Sequence, residues 1–306
     1  MRLYSFYGEA GQPVAARIDG DDVVLDMDWL ADLSGLARDD LEDYLPVHAR
    51  GESGERRPIR ELRPAPAVAR PGKIVCVGLN YRDHAAEGGR EAPTRPLLFA
   101  KFANTVIADG EPIIRPEGTD ALDLEVELGV VIGRTAHRVP VAQAMDHVAG
   151  YVVVNDVSAR DWQGNPQALR PGEKGDGQWL RAKGSDTFLP MGPVFVTRDD
   201  LDPKAGLRLR SWRITTDGTE HVMQDGNTRD LIWDVPAIVA FISAAITLQP
   251  GDVIATGTPS GVGVFRDPPV FLQPGERVRC EVEGIGAVEN PIIDWTDRSP
   301  AGTSDA

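Results

Sequence analysis

From Lys73 onward the chain is written in strands. Residues 74–78, 125–133, 151–155, 194–197, 207–210, 253–256 and 278–282 are rich in β-branched side chains and bounded by Gly, Pro or Asp. That is the composition of pleated, half-buried surface punctuated by turns. Helical signals are confined to about residues 141–147 and 236–247, where Pro236 suits a first turn and Pro250-Gly251 stops it. So few helices exclude a doubly wound parallel sheet, whose crossovers are helical. The expectation is a mixed, mainly β architecture with few short helices.

The first 70 residues read differently. Residues 14–18 and 23–25 are short strands joined by Asp19-Gly20-Asp21-Asp22, a hairpin signal. Residues 28–46 carry a helical patch, and 49–60 are polar. The run Pro64-Ala-Pro-Ala-Val-Ala-Arg-Pro71 hardly permits regular structure, since proline restricts itself and its predecessor. It predicts an extended linker between a small N-terminal α+β domain (1–70) and a larger domain (71–295). The polar tail 296–306 is expected to be disordered. Residues 164–178, with four Gly and two Pro, predict one long exposed loop.

Charge narrows the function. Asp plus Glu number 47 against 32 Lys plus Arg, a formal net charge of -15. Such a field disfavours nucleic acid and anionic membranes, and an anionic substrate would need a local cation. Cys76 and Cys280 cannot build a disulfide framework and are read as inert core thiols. No apolar run reaches the roughly 20 residues of a membrane span, and the first residues lack a signal-peptide pattern. A soluble, cytoplasmic protein is expected.

The sharpest chemical feature is Asp123-Leu-Glu125-Val-Glu127-Leu-Gly-Val-Val. On a strand these three acids share a face. The pattern alone fits a half-buried strand with a solvated acidic face, but the segment runs on as Gly129-Val-Val-Ile-Gly133, apolar on both faces, which suggests a buried sheet. Two carboxylates about 4 Å apart repel by roughly 4 kcal/mol at an effective dielectric of 20, so buried ones are paired or hold a metal. A third acid, Asp156, ends the apolar run Tyr151-Val-Val-Val-Asn155. Three oxygen ligands without His or Cys suit Mg²⁺ or Mn²⁺ rather than zinc. His84 and Glu87, three residues apart, fall on one side of a helical turn. There the carboxylate would orient the imidazole and raise its basicity. Lys183, in Lys-Gly-Ser-Asp186-Thr, is an isolated cation that could balance the acids. The Gly-rich Ala255-Thr-Gly257-Thr258-Pro-Ser-Gly261-Val-Gly263 lacks the Lys and spacing of a phosphate loop. His137, His147 and His221 have no carboxylate cluster beside them and are read as structural.

In order along the chain, these motifs resemble the fumarylacetoacetate hydrolase family. The likeness rests on Val77-Gly-Leu-Asn-Tyr81 with His84 and Glu87, Pro96-Leu-Leu-Phe99, and Glu125-x-Glu127-Leu. It continues through Asn155-Asp156-Val-Ser-Ala-Arg160-Asp161-x-Gln163, Lys183-Gly-x-Asp186-Thr and Thr256-Gly-Thr258-Pro-x-Gly261-Val-Gly263. The resemblance implies a mixed β-sandwich roll and a homodimer. It also implies metal carboxylates at Glu125, Glu127 and Asp156, a water-activating dyad at His84 and Glu87, and an amine beside the metal at Lys183. Substrate contacts would fall on Gln163, Thr258 and Arg160. The implied activity is metal-dependent carbon–carbon hydrolysis of short 2,4-diketo acids, small anionic substrates cleaved to a pyruvate-type keto acid and a carboxylic acid. The same enolate chemistry also serves isomerisation or decarboxylation of the 2-hydroxyhepta-2,4-diene-1,7-dioate type, or oxaloacetate decarboxylation. One departure is the loop between Gln163 and Lys183, with Arg170, Lys174 and Arg181, which is longer than in the family's simplest members.

Overall fold

The computed structural model describes residues 1–25, 33, 54–89 and 91–297. Strands β1 (Arg2–Tyr7), β2 (Pro13–Asp19), β3 (Asp22–Leu25) and β4 (Glu55–Pro58) form an antiparallel ribbon. Next come β5 (Ile74–Gly78), β6 (Leu97–Lys101), β7 (Val106–Ile107), β8 (Ile113–Arg115), β9 (Leu122–Asp123), β10 (Val126–Ile132) and β11 (Val148–Asn155). The remainder supplies β12 (Ser158–Ala159), β13 (Leu189–Pro190), β14 (Val194–Thr197), β15 (Arg208–Ile214), β16 (Glu220–Asn227), β17 (Val253–Ala255), β18 (Arg277–Val282) and β19 (Gly286–Asp294).

Among the described residues these build a ten-stranded sheet, in the order β4-β3-β2-β1-β14-β11-β10-β17-β5-β6. A five-stranded sheet follows the order β16-β15-β18-β19-β8. The sheets face each other where β10 and β11 pack on β15, β18 and β19. Alternation along the strands divides their side chains between two cores. Leu128, Val130, Tyr151 and Val153 join Leu209, Cys280 and Val288 between the sheets. Val131, Val152 and Val154 join Leu3, Ile74 and Phe195 on the other face. Every residue of β10 and β11 is buried, as the doubly apolar text predicts. The architecture is mixed and mainly β with few short helices.

Several expectations map onto elements directly. The hairpin pairs Asp19 with Asp22 around Gly20-Asp21. Helix Val235–Ser243 is capped by Asp234, whose carboxylate accepts from Ala237 N at 3.0 Å. It ends at Ser243, short of the expected Thr247. Residues Val141–His147 form a 3-10 helix. Both cysteines are buried and free. The sequence reading did not name β1, β6, β16 and β19, nor the short β4, β7, β8, β12 and β13, which at two to four residues show no period. β16 is polar and lies at a sheet edge, β6 lies at the other sheet's edge, and β19 carries Pro291; an edge strand needs no apolar alternation to pair. The stretch after Pro64 has no strand or helix, yet Ala65, Ala67 and Val68 are fully buried. Most of 164–178 is exposed, with one 3-10 turn at Pro166–Ala168. The helical patch 28–46 and tail residues 298–306 lie outside the described residues. Among the described residues, no helix is long and apolar enough to cross a membrane.

Candidate active site

The acids meet because of strand register. β10 and β11 are antiparallel with Val126 opposite Asn155 and Glu127 opposite Val154, so the start of one and the end of the other share a sheet end. Glu125 lies in the break between β9 and β10, and Asp156 directly follows β11. The turn is stitched by Asp156 N donating to Glu125 O at 2.9 Å and Glu125 N donating to Asn155 Oδ1 at 3.0 Å. Glu125, Glu127 and Asp156 each offer an oxygen within 4.8 Å of the others, and all three are buried. Asp123 is not part of this group. Its carboxylate accepts from Gly263 N at 2.8 Å and Arg160 Nε at 2.9 Å, tying Arg160 to the loop after β17.

Among the described residues, three cations are packed against these acids. Lys183, on helix Trp179–Gly184, sets Nζ 2.7 Å from Glu125 Oε2 and 2.8 Å from Asp156 Oδ2. Arg160 pairs through Nη2 with Glu125 Oε1 at 2.7 Å. Lys101, at the end of β6, places Nζ 2.7 Å from Asp156 Oδ1. Burial alone would raise Glu125, yet Lys183 and Arg160 hold its carboxyl well below the usual range. Glu127 is different. Its partner is a backbone amide, Gly257 N donating to Oε2 at 2.7 Å. Burial, then Asp156 and Glu125, push its carboxyl well above the usual value. Four acids thus face three cations, and the one carrying the excess charge belongs to an all-oxygen triad. A hard divalent ion fits this donor set.

The dyad forms as expected on helix Arg82–Glu87, with His84 Nδ1 2.7 Å from Glu87 Oε1. The segment is docked on the loop after β17. Gly261 N donates to Glu87 Oε2 at 2.8 Å, and Ser260 Oγ donates to Asp83 Oδ2 at 2.7 Å. Two glycines permit this approach. Gly257 has φ +100°, and a Cβ there would lie 2.7 Å from Asn80 Cβ; Gly261 has φ +104°, and a Cβ would lie 2.1 Å from Met223 O. Asn80, fully buried, donates to Thr256 O at 2.7 Å and accepts from Trp233 N at 2.9 Å, holding the strand that leads into the dyad.

His84, Glu125, Glu127, Arg160, Gln163, Lys183 and Thr258 line one cavity, with Phe99, Trp179 and Phe265 as its apolar wall. Glu87 and Asp156 stand behind them. Two expected substrate contacts are already engaged. Arg160 is committed to Asp123, Glu125 and, at 3.2 Å, Gln163 Oε1. Thr258 Oγ1 donates to Val126 O at 2.9 Å and accepts from Gln224 Nε2 at 2.7 Å, so donating to a substrate carboxylate requires its hydroxyl to rotate. Lys101, Asn80 and Gln224 are site residues that the sequence reading does not single out, and Asp123, grouped there with Glu125 and Glu127, instead holds Arg160. The one sequence signal for Lys101 was a lone cation closing the apolar run Leu97-Leu-Phe-Ala.

The model of the fumarylacetoacetate (FAA) hydrolase C-terminal region matches residues 73–293. The chain belongs to the fumarylacetoacetate hydrolase family. A mitochondrial oxaloacetate tautomerase of Xenopus laevis is 43% identical over 226 residues, 74% of this chain and 67% of that protein. One of Homo sapiens is 41% identical over 258 residues, 84% of this chain and 75% of that protein. Among solved structures, a 2-hydroxyhepta-2,4-diene-1,7-dioate isomerase from Mycobacterium marinum is 34% identical with a TM-score of 0.72. That match covers 96% of this chain and 99% of the other.

Proposed function

We propose that this family member is a divalent-metal-dependent isomerase of short 2-oxo acids, interconverting enol and keto forms, with oxaloacetate as the substrate to try first. The observation that carries the reading is the buried oxygen triad with Lys183 against it and a histidine on the same cavity wall. Oxaloacetate tautomerases at 41% and 43% identity favour isomerisation over the hydrolysis that the sequence motifs first implied. Glu125, Glu127 and Asp156 would hold Mg²⁺ or Mn²⁺, which when bound polarises the substrate's 2-oxo and carboxylate oxygens. Lys183, reaching the cavity, supplies a proton donor to the oxygen where negative charge develops. His84 gives its Nδ1 to Glu87, leaving Nε2 to move the proton to or from C3. Glu87, fixed by Gly261 N, keeps the ring in that tautomer and orientation. Gln163 and, once its hydroxyl rotates, Thr258 would orient the substrate's carboxylates from the same cavity wall. The enol loses its hydroxyl proton and gains one at carbon, so no water is consumed.

Hydrolysis of 2,4-diketo acids remains as a second reading, because the same preformed dyad could activate a water. The test follows loss of enol absorbance of oxaloacetate with Mg²⁺, quantifying pyruvate, CO₂ and released acid, with an acylpyruvate run in parallel. Accelerated enol loss without pyruvate, abolished in His84→Gln, is the expected result. Pyruvate with equimolar acid from the acylpyruvate would move the assignment to hydrolysis, and no turnover of either would overturn both.

A further inference from the structure

Two lysines touch Asp156, and the structure treats them differently. Lys183 Nζ bonds to carboxylates, Glu125 Oε2 and Asp156 Oδ2. Lys101 Nζ donates to three backbone carbonyls: Val157 O at 3.0 Å, Lys183 O at 2.5 Å and Phe188 O at 2.8 Å. An ammonium has three hydrogens, so the carbonyls use all of them. Asp156 Oδ1, 2.7 Å away, faces the charge as an ion pair and receives no hydrogen bond. Lys101 is 1% exposed. Moving it would orphan three buried carbonyls, each of which would lose its hydrogen-bond partner away from water. Its place is therefore set by the backbone and does not depend on what Asp156 does. Lys183 has no such anchor for its ammonium and can yield its carboxylate contacts to a cation or a substrate.

We infer that Lys101 is a positioning residue of the candidate metal centre, holding Asp156 Oδ1 so that Oδ2 stays turned toward Lys183, which bridges it to Glu125. The inference rests on the reading of Glu125, Glu127 and Asp156 as cation ligands. Within it, Lys101 acts only through Asp156 and touches no substrate. A carboxylate with neither oxygen held by a fixed partner would rotate, and the triad would lose its preset geometry. Partners behind metal ligands of this kind change metal affinity by roughly 10- to 100-fold when removed.

The experiment measures Mn²⁺ binding by calorimetry to the full-length wild type, Lys101→Met and Lys101→Arg, with circular dichroism and denaturant unfolding in chelator as fold controls. Folded Lys101→Met is expected to bind Mn²⁺ roughly 10- to 100-fold more weakly, with Lys101→Arg recovering part of the loss. Wild-type affinity in folded Lys101→Met overturns the inference. Absence of Mn²⁺ binding by the wild type overturns the underlying metal reading instead. If Lys101→Met does not fold, the lysine side-chain ¹⁵N resonances of the wild type decide. On Mg²⁺ addition the Lys183 signal should shift and that of Lys101 stay in place; equal shifts of both would overturn the inference.

Discussion

At the scale of single residues, the site is an exercise in uneven charge. Glu125 and Asp156 each have cations against them, whereas Glu127 has one backbone amide. The acid with most to gain from a divalent ion is therefore the one that most destabilises the fold without one. Glu127→Gln should abolish metal-induced stabilisation and at the same time raise the melting temperature measured in chelator, by roughly 2–4 °C for each kcal/mol of relieved strain. The sign of the pH effect follows from the raised carboxyl. In acid the wild-type side chain takes up a proton and resembles Gln, so the two proteins should converge. As pH rises through the shifted value, charge returns to the wild type and the gap should widen. Parallel unfolding curves at mildly acidic and mildly alkaline pH would check this; a gap that closes with rising pH would refute it.

At the scale of elements, the loop after β17 does more than connect. It sends Gly257 N to Glu127, Gly261 N to Glu87, Gly263 N to Asp123 and Ser260 to Asp83. Four acids from two stretches of the chain, 83–87 and 123–127, are thus registered by one Gly-rich segment. At Gly261 a side chain is excluded twice, by its φ of +104° and by the Met223 carbonyl. Gly261→Ala should destabilise the protein by several kcal/mol, above the cost of a left-handed residue alone, since backbone must move. Denaturant unfolding measures this. The carboxylates explain what this Gly-rich run does: its amides point at the protein's own acids.

At the scale of the whole molecule, β1 completes the large sheet by pairing Leu3 with Phe195 and Tyr4 with Val194. A chain beginning at Lys73 would leave β14 as an unpaired edge and uncover Phe195 and Val152, which share a core with Leu3 and Ala15. Such a truncation is expected to aggregate, as light scattering would show. A monodisperse, folded product would establish that the two parts fold independently. Much of the molecule could be read from the chain alone. β-branched runs between turn residues determined a mainly β fold, because strand propensity and turn chemistry are local. The acids at 125 and 127 and His84 with Glu87 were legible because periods of two and of three to four residues put them on common faces. Only the tertiary structure decided which acid stands without a cation. It alone showed that Asp123 serves Arg160, that Thr258 is already bonded, and that Lys101 sits behind Asp156. Those outcomes depend on antiparallel register and on close packing between segments far apart in sequence, which bring buried charges within a few ångströms and which no local pattern encodes.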